Sequence, residues 1–133
     1  MNIDKKYYQE INENLTNTIQ DTNISAPNKK VGKVRDAYFL NDKVVMISTD
    51  RQSAFDRVLA AIPYKGAVLN SVSAWWFKKT EHLFPNHLIS TPDPNVSIVE
   101  KCTVFPVEFV VRGYITGTTD TSLWTVYNNG DRE

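Results

Sequence analysis

Near the amino terminus apolar residues recur every four positions: Ile3, Tyr7, Ile11, Leu15 and Ile19 stand among Asn, Glu, Lys and Gln. That spacing predicts an amphipathic helix, its apolar stripe drifting slowly around the axis, packed on the outside of the fold. The segment Asp21 to Asn28, with Asn23, Ser25 and Pro27, then reads as a linker. It separates an amino-terminal helix and linker, residues 1–27, from a domain spanning 28–133, with the edge near Pro27. From Lys30 to Leu40 the pattern turns strand-like. After Asn41-Asp42 the run Lys43-Val44-Val45-Met46-Ile47-Ser48 is expected to return as the partner strand of a hairpin. A helix is predicted from about Ala67 to Thr80, where Val68, Val72, Trp75 and Trp76 fall at i, i+4, i+7 and i+8 beside Leu69, so the indoles are expected in the core. Thr91-Pro92-Asp93-Pro94-Asn95 marks a turn, and Val96 to Val111 holds room for one or two strands, with Pro106 as a break or an edge. Within that run Phe105, Val107, Phe109 and Val111 share a face that reads as core, opposite Glu108, Val110 and Arg112. Asp120 is placed to cap a short helix in which Leu123, Trp124 and Tyr127 share a face, with Asn129-Gly130 ending it.

Composition narrows the field. The 133 residues, 41% hydrophobic and 23% charged, suit one globular domain able to bury a core. Fifteen basic and fifteen acidic side chains leave a formal charge of zero, so no overall field favours nucleic acid or an anionic membrane, and any anion site must be local. Cys102 is the one cysteine, which excludes an internal disulfide and fits a reducing cytoplasm. No stretch approaches the apolar length of a membrane span, and Met1 to Glu10 lacks the basic-then-apolar character of a leader. His82 and His87 have no acidic partner at a zinc-binding spacing, and no Walker loop is present, so no metal ligands are assigned within the chain.

Candidate chemistry gathers in four places. Gly32 precedes Lys33 and Arg35, which at period two share a face opposite Val34, Tyr38 and Leu40. This is either a hairpin laid over phosphates or a solvated basic strand with a glycine bulge. Ser48 to Arg57 leaves an apolar strand and crowds acids, bases and hydroxyls around Phe55; Asp50 and Asp56 could accept hydrogen bonds from a ligand or cap turns through the backbone. Lys65-Gly66 opens a helix and suits an anion seat. Arg112 ends the Phe105–Val111 run beside Gly113, Gly117 and the hydroxyls of Thr116, Thr118, Thr119, Thr121 and Ser122, chemistry suited to phosphate or carboxylate.

Taken together, Gly32-Lys33-Val34-Arg35-Asp36, Ser48-Thr49-Asp50-Arg51-Gln52-Ser53-Ala54-Phe55-Asp56, Lys65-Gly66 and Phe105-Pro106-Val107-Glu108-Phe109-Val110-Val111-Arg112-Gly113-Tyr114-Ile115-Thr116-Gly117 follow the order and spacing of one family. From Val31 to Glu133 the chain resembles the SAICAR synthetases, the phosphoribosylaminoimidazole-succinocarboxamide synthases. The resemblance implies an α+β fold, largely antiparallel sheet with flanking helices, forming the ATP-binding amino-terminal portion of the enzyme. It implies an ATP-dependent ligase of purine biosynthesis that joins carboxyaminoimidazole ribonucleotide to L-aspartate, giving SAICAR, ADP and phosphate with magnesium. Gly32, Lys33 and Arg35 then resemble the strand-loop covering the ATP phosphates, and Val104 to Glu108 the backbone bordering the adenine. Arg112 resembles the arginine that binds the ribonucleotide, while Ser53, Asp56 and Lys65 match its side of the site. Thr118 stands where a serine is usual; its hydroxyl keeps the hydrogen bond while its methyl stiffens the rotamer.

The resemblance also implies a longer protein whose magnesium-holding acidic residues lie beyond Glu133. Asp131-Arg132-Glu133 lacks the character of a natural terminus, so a truncated chain without synthetase activity of its own is expected. No catalytic residue is assigned. Two other readings stay open: a protein-kinase-like ATP-binding lobe, and a non-catalytic nucleotide- or RNA-binding module using Trp75, Trp76 and Tyr64 as platforms. The Ser48–Asp56 and Arg112–Gly117 blocks weigh against the first. Zero net charge weighs against the second.

Overall fold

The computed structural model describes residues 5–55, 57–107, 109, 111 and 113–130, with Lys6 by its backbone alone. The chain divides into two compact units, Met1–Cys102 and Thr103–Glu133. In the first, the elements run α1 (Lys5–Glu13), β1 (Lys29–Val31), β2 (Arg35–Phe39), β3 (Lys43–Ser48), β4 (Arg51–Ala54), β5 (Arg57–Ala61), α2 (Lys65–Thr80), β6 (Leu88–Asp93) and β7 (Val96–Glu100). The second holds α3 (Leu123–Asn128). A five-stranded sheet has the order β1-β2-β3-β7-β6, antiparallel at every pair, and β4 and β5 form a separate two-stranded ribbon. Helix α2 packs on β3, β6 and β7. The expected α+β architecture is therefore present.

The β2–β3 hairpin follows from its sequence. β-branched residues in β3 pair Tyr38 with Val45 and Phe39 with Val44, and Leu40 closes the turn by donating to the Lys43 carbonyl at 2.9 Å. Alternation buries Asp36 and Tyr38 with Ile47 on one face of the sheet, while Val44 and Val99 are buried on the other. Lys30 to Leu40 is not the continuous strand its pattern suggests. It breaks at Gly32-Lys33-Val34 into β1 and β2, which pair back on each other with Val31 opposite Asp36. Gly32 donates to the Arg35 carbonyl at 2.7 Å, and a Cβ there would lie 2.8 Å from that same oxygen, so the turn needs glycine.

Other expectations yield to long-range bonds. Helix α1 ends at Glu13, short of Leu15 and Ile19. The Asn14 side chain bonds the Glu10 carbonyl at 2.8 Å, and Ile19 is held extended by Asp50, whose carboxylate accepts from the Ile19 N–H at 2.8 Å. Asp50 N–H returns a bond to the Ile19 carbonyl at 2.8 Å, so two backbone groups of this strap are committed outside any helix. The segment read as a linker is likewise fastened: the Thr22 hydroxyl bonds Asp36 at 2.7 Å, and Tyr38 donates to the Thr22 carbonyl at 2.9 Å.

Helix α2 starts at Lys65, with Tyr64 in the left-handed region at φ 63° before it. Its expected core residues are not buried: Val68, Leu69, Val72, Trp75 and Trp76 are all about half exposed, whereas Gly66 and Asn70 are the buried positions. The helix turns a small and polar stripe to the sheet. Gly66 allows close approach to β3, since a Cβ would lie 2.3 Å from the Ser48 carbonyl, and Asn70 accepts from Ser97 Oγ at 2.7 Å while donating to the Pro94 carbonyl at 3.0 Å.

The strand expected over Phe105–Val111 is also absent among its described residues, and Phe105, Val107, Phe109 and Val111 are exposed. The ladder that β7 shares with β3 ends at Glu100 opposite Lys43, because β3 begins there after the Asn41-Asp42 turn; Lys101 N–H to the Asp42 carbonyl, at 3.0 Å, closes it. Among the described residues from Lys101 to Val111 no strand follows. In the second unit, α3 is capped by Ser122, which accepts from Thr125 N–H, rather than by Asp120; Trp124 and Tyr127 stack at 6.2 Å. Gly130, at φ 88°, follows the C-cap Asn129 as expected.

Candidate functional site

One segment, Thr49-Asp50-Arg51, builds the surroundings of the basic turn. Thr49 donates to the Val34 carbonyl through both its N–H at 3.0 Å and its hydroxyl at 2.9 Å. The Arg51 guanidinium reaches the Lys33 carbonyl at 3.2 Å through Nε, and the Gly32 carbonyl at 3.0 Å and Asp36 Oδ1 at 2.8 Å through Nη2. Its Nη1 bonds the Gln20 carbonyl at 2.8 Å, tying the strap to the same centre. Arg51 and Asp36 are both buried, and a pair of this kind is tolerable because every guanidinium nitrogen and both carboxylate oxygens have hydrogen-bond partners.

Burial alone would push the Asp36 carboxyl up, but hydrogen bonds from Thr22, Arg51 and Lys29 outweigh it and hold it below the usual carboxylate range. Lys29 Nζ lies 2.8 Å from Asp21 and 3.2 Å from Asp36, and also bonds the Thr22 carbonyl. Its bond to Asp21 leads in raising the ammonium above the ordinary lysine range, and the same bond lowers Asp21.

Arg35 and Lys65 line one cleft of about 60 Å³ with Val34, Ser48, Thr49 and Asn70. Lys65 is anchored by donating to the Arg51 carbonyl at 3.0 Å. The Gly66 N–H is not open to an outside anion as the Lys65-Gly66 pair suggested, because the Asp50 carboxylate accepts it at 2.9 Å. Asp50 caps no turn of its own backbone: its carboxylate sits at the start of α2, sixteen residues on, and also holds Ile19.

The structure thus brings together Gly32, Lys33, Arg35 and Lys65, all in the first unit. Ser53 sits half-buried on β4 at a register shift in the ribbon, whose tip carries Phe55 at φ 51° and 96% exposed. Val104 and Thr118 belong to the second unit, where both are exposed. Asp56, Glu108 and Arg112 lie outside the described residues. Arg51 and Asp36 had not been singled out, although a signal existed: Asp36 alternates in phase with Tyr38 on the core face of β2, and a carboxylate there requires a buried cation.

The first unit is an antiparallel α+β fold that sets a clamped glycine turn and two cations beside one small cleft, the layout of a protein that handles anions. Residues 28–132 match the sequence profile of the SAICAR synthetase family, and the chain belongs to that family. A phosphoribosylaminoimidazole-succinocarboxamide synthase of Legionella pneumophila is 61% identical over 115 residues, which is 86% of this chain and 37% of the relative. Among solved structures, SAICAR synthase from Saccharomyces cerevisiae complexed with SAICAR superposes with a TM-score of 0.73 at 31% identity, covering 84% of this chain and 44% of that one. A type-2 SAICAR synthetase in complex with ADP gives a TM-score of 0.54 at 30% identity, covering 59% and 35%. The chain therefore spans well under half the length of the relatives it matches.

Proposed function

We propose that this chain is the nucleotide-binding part of a cytoplasmic, ATP-dependent ligase of purine biosynthesis that condenses carboxyaminoimidazole ribonucleotide with L-aspartate to give SAICAR, ADP and phosphate. The observation that carries this reading is the Gly32-Lys33-Val34 turn, its carbonyls held by Thr49 and Arg51, beside the cleft shared by Arg35 and Lys65. The relatives complexed with SAICAR and with ADP support it.

A free carboxylate is a poor electrophile, so amide formation needs activation. Transfer of the ATP γ-phosphoryl to the ribonucleotide carboxylate would form an acyl phosphate and release ADP. The aspartate amine would then attack the acyl carbon, expelling phosphate and losing a proton. The work left to the protein is positioning and charge neutralisation, which suits fixed guanidinium, ammonium and backbone donors. In this reading Gly32, Lys33 and Arg35 cover the phosphates and Val104 to Glu108 border the adenine. Ser53, Asp56, Lys65, Arg112 and Thr118 serve the ribonucleotide.

Magnesium is implied by the family resemblance, with its ligands expected beyond Glu133. Among the described residues no three His, Cys, Asp or Glu side chains cluster, and the buried carboxylates of Asp36 and Asp50 are engaged by Arg51, Thr22 and backbone N–H groups.

Titration of ATP into the 133-residue chain, followed by calorimetry, tests the reading. Saturable binding is expected, weakened about tenfold or more by Arg35→Ala, the effect of losing a charge-assisted hydrogen bond. Absence of binding, or indifference to Arg35→Ala, overturns it. The chain alone is expected to release no ADP on addition of ribonucleotide and aspartate; release at ordinary enzyme rates would refute that expectation.

A further inference from the structure

All three carbonyls of the Gly32-Lys33-Val34 turn are engaged by one neighbouring segment: Gly32 and Lys33 by the Arg51 guanidinium, Val34 by Thr49 N–H and Oγ. Thr49 is 1% exposed and Arg51 8%, so these bonds are made away from water. Arg51 is in turn oriented by Asp36, which is itself held by Thr22 and Lys29. The turn closes on itself through the Gly32 N–H bond to the Arg35 carbonyl, which fixes the backbone leading directly into Arg35.

A carbonyl oxygen rotated towards an incoming polyphosphate would present the negative end of its dipole to it. With the three oxygens turned to Thr49 and Arg51, that repulsion is removed before any ligand arrives. In the sequence motif alone Arg51 has no such role and reads as one of the bases crowded around Phe55.

We infer that Arg51 is a positioning residue for nucleotide phosphates: with Thr49 and Asp36 it holds the turn with its carbonyls averted, so that the turn accepts the polyphosphate without rearranging. The inference rests on the nucleotide reading above, and goes beyond it by assigning the affinity of the turn to a buried side chain that does not itself meet the ligand. Arginine is specifically needed, because a lysine keeps the charge against Asp36 but its three donors on one nitrogen cannot serve the three carbonyls and one carboxylate that Arg51 bonds.

The test compares Arg51→Lys and Asp36→Asn with Val44→Ala, a core truncation remote from the turn, in the 133-residue chain. Thermal unfolding, amide hydrogen exchange at Gly32, and affinity for ATP and for AMP are read on each. Arg51→Lys is expected to weaken ATP by about tenfold or more, as displaced positioning groups do, and AMP much less. Val44→Ala should lower the unfolding temperature while leaving the ATP to AMP affinity ratio unchanged. If Arg51→Lys shifts that ratio no more than Val44→Ala, its role is merely structural and the inference fails. Should the Arg51 variants not fold, the wild-type chain decides: Gly32 N–H must be protected before ATP is added, and exchange at an unprotected rate overturns the clamp. Failure of the wild type to bind ATP overturns the nucleotide reading and the purpose given to the clamp, while the Gly32 exchange still reports whether the clamp exists.

Discussion

Gly66 shows how little room single residues have at the junction of α2 and the sheet. Its missing side chain lets the helix start rest on β3, where a Cβ would lie 2.3 Å from the Ser48 carbonyl and 2.6 Å from Asn95 Nδ2. Gly66→Ala is therefore expected to destabilise by about 1–3 kcal/mol, the range for overpacking, despite alanine's better helix propensity. Urea denaturation checks this. Asp36 carries a different prediction. Its folded carboxyl lies below its ordinary 3.8, so between the two values the unfolded chain binds the extra proton and stability rises with pH. The contribution is present above 3.8 and is lost as pH falls through the lower folded value. Denaturation midpoints measured from pH 5 downward should fall in the wild type along this limb. Asp36→Asn should lose that part of the slope and start from a lower stability, since one partner of a buried pair is left without the other.

At the scale of elements, the apolar stripe of α2 is the clearest surprise. Spacing correctly announced a helix, but which side of a helix meets the sheet is settled by what the neighbouring element can accept. Gly66 and Asn70 fit against β3 and β7, and the larger side chains are left outward. Tyr7, Ile11, Tyr64, Val68 and Val72 then line an apolar groove of about 710 Å³ between α1 and α2. Exposed apolar surface of this kind binds dyes and other apolar molecules. Val68→Glu with Val72→Lys, an opposite-charge pair one turn apart, should alter stability by less than about 1 kcal/mol and clearly reduce the fluorescence of a bound apolar dye. A large loss of stability would show that these valines are core after all. The hairpin β2–β3 was legible because period-two patterning and a polar turn are local signals, as was the cluster of basic residues after Gly32. The break of β1 from β2 was not, because it depends on Thr49 and Arg51, which reach the turn from beyond the next strand.

At the scale of the whole molecule, the division after Cys102 makes a physical prediction. Lys101 is exposed and follows the last residue of β7, and residues 101–105 have no regular structure. Limited trypsin digestion is expected to cut early after Lys101, leaving a fragment that retains the five-stranded sheet and unfolds cooperatively. Loss of cooperativity in that fragment would show that the sheet depends on residues after it.

Sequence by itself determined the elements that local chemistry can specify: the β2–β3 hairpin from alternation around Asn41-Asp42, a helix ending at Thr80 from its spacing, a helix stop at Asn129-Gly130, and a cluster of basic residues after Gly32 with the motifs of its family. These follow from steric limits and periodicity within a few residues. Tertiary structure alone decided that Ile19 is a strap rather than a helix, that Asp50 engages the start of α2, that the tryptophans face outward, and that the described residues of 105–111 form no strand. Each depends on partners far along the chain or on a neighbouring edge, and a buried hydrogen bond once made outweighs the weak propensities that sequence pattern reads.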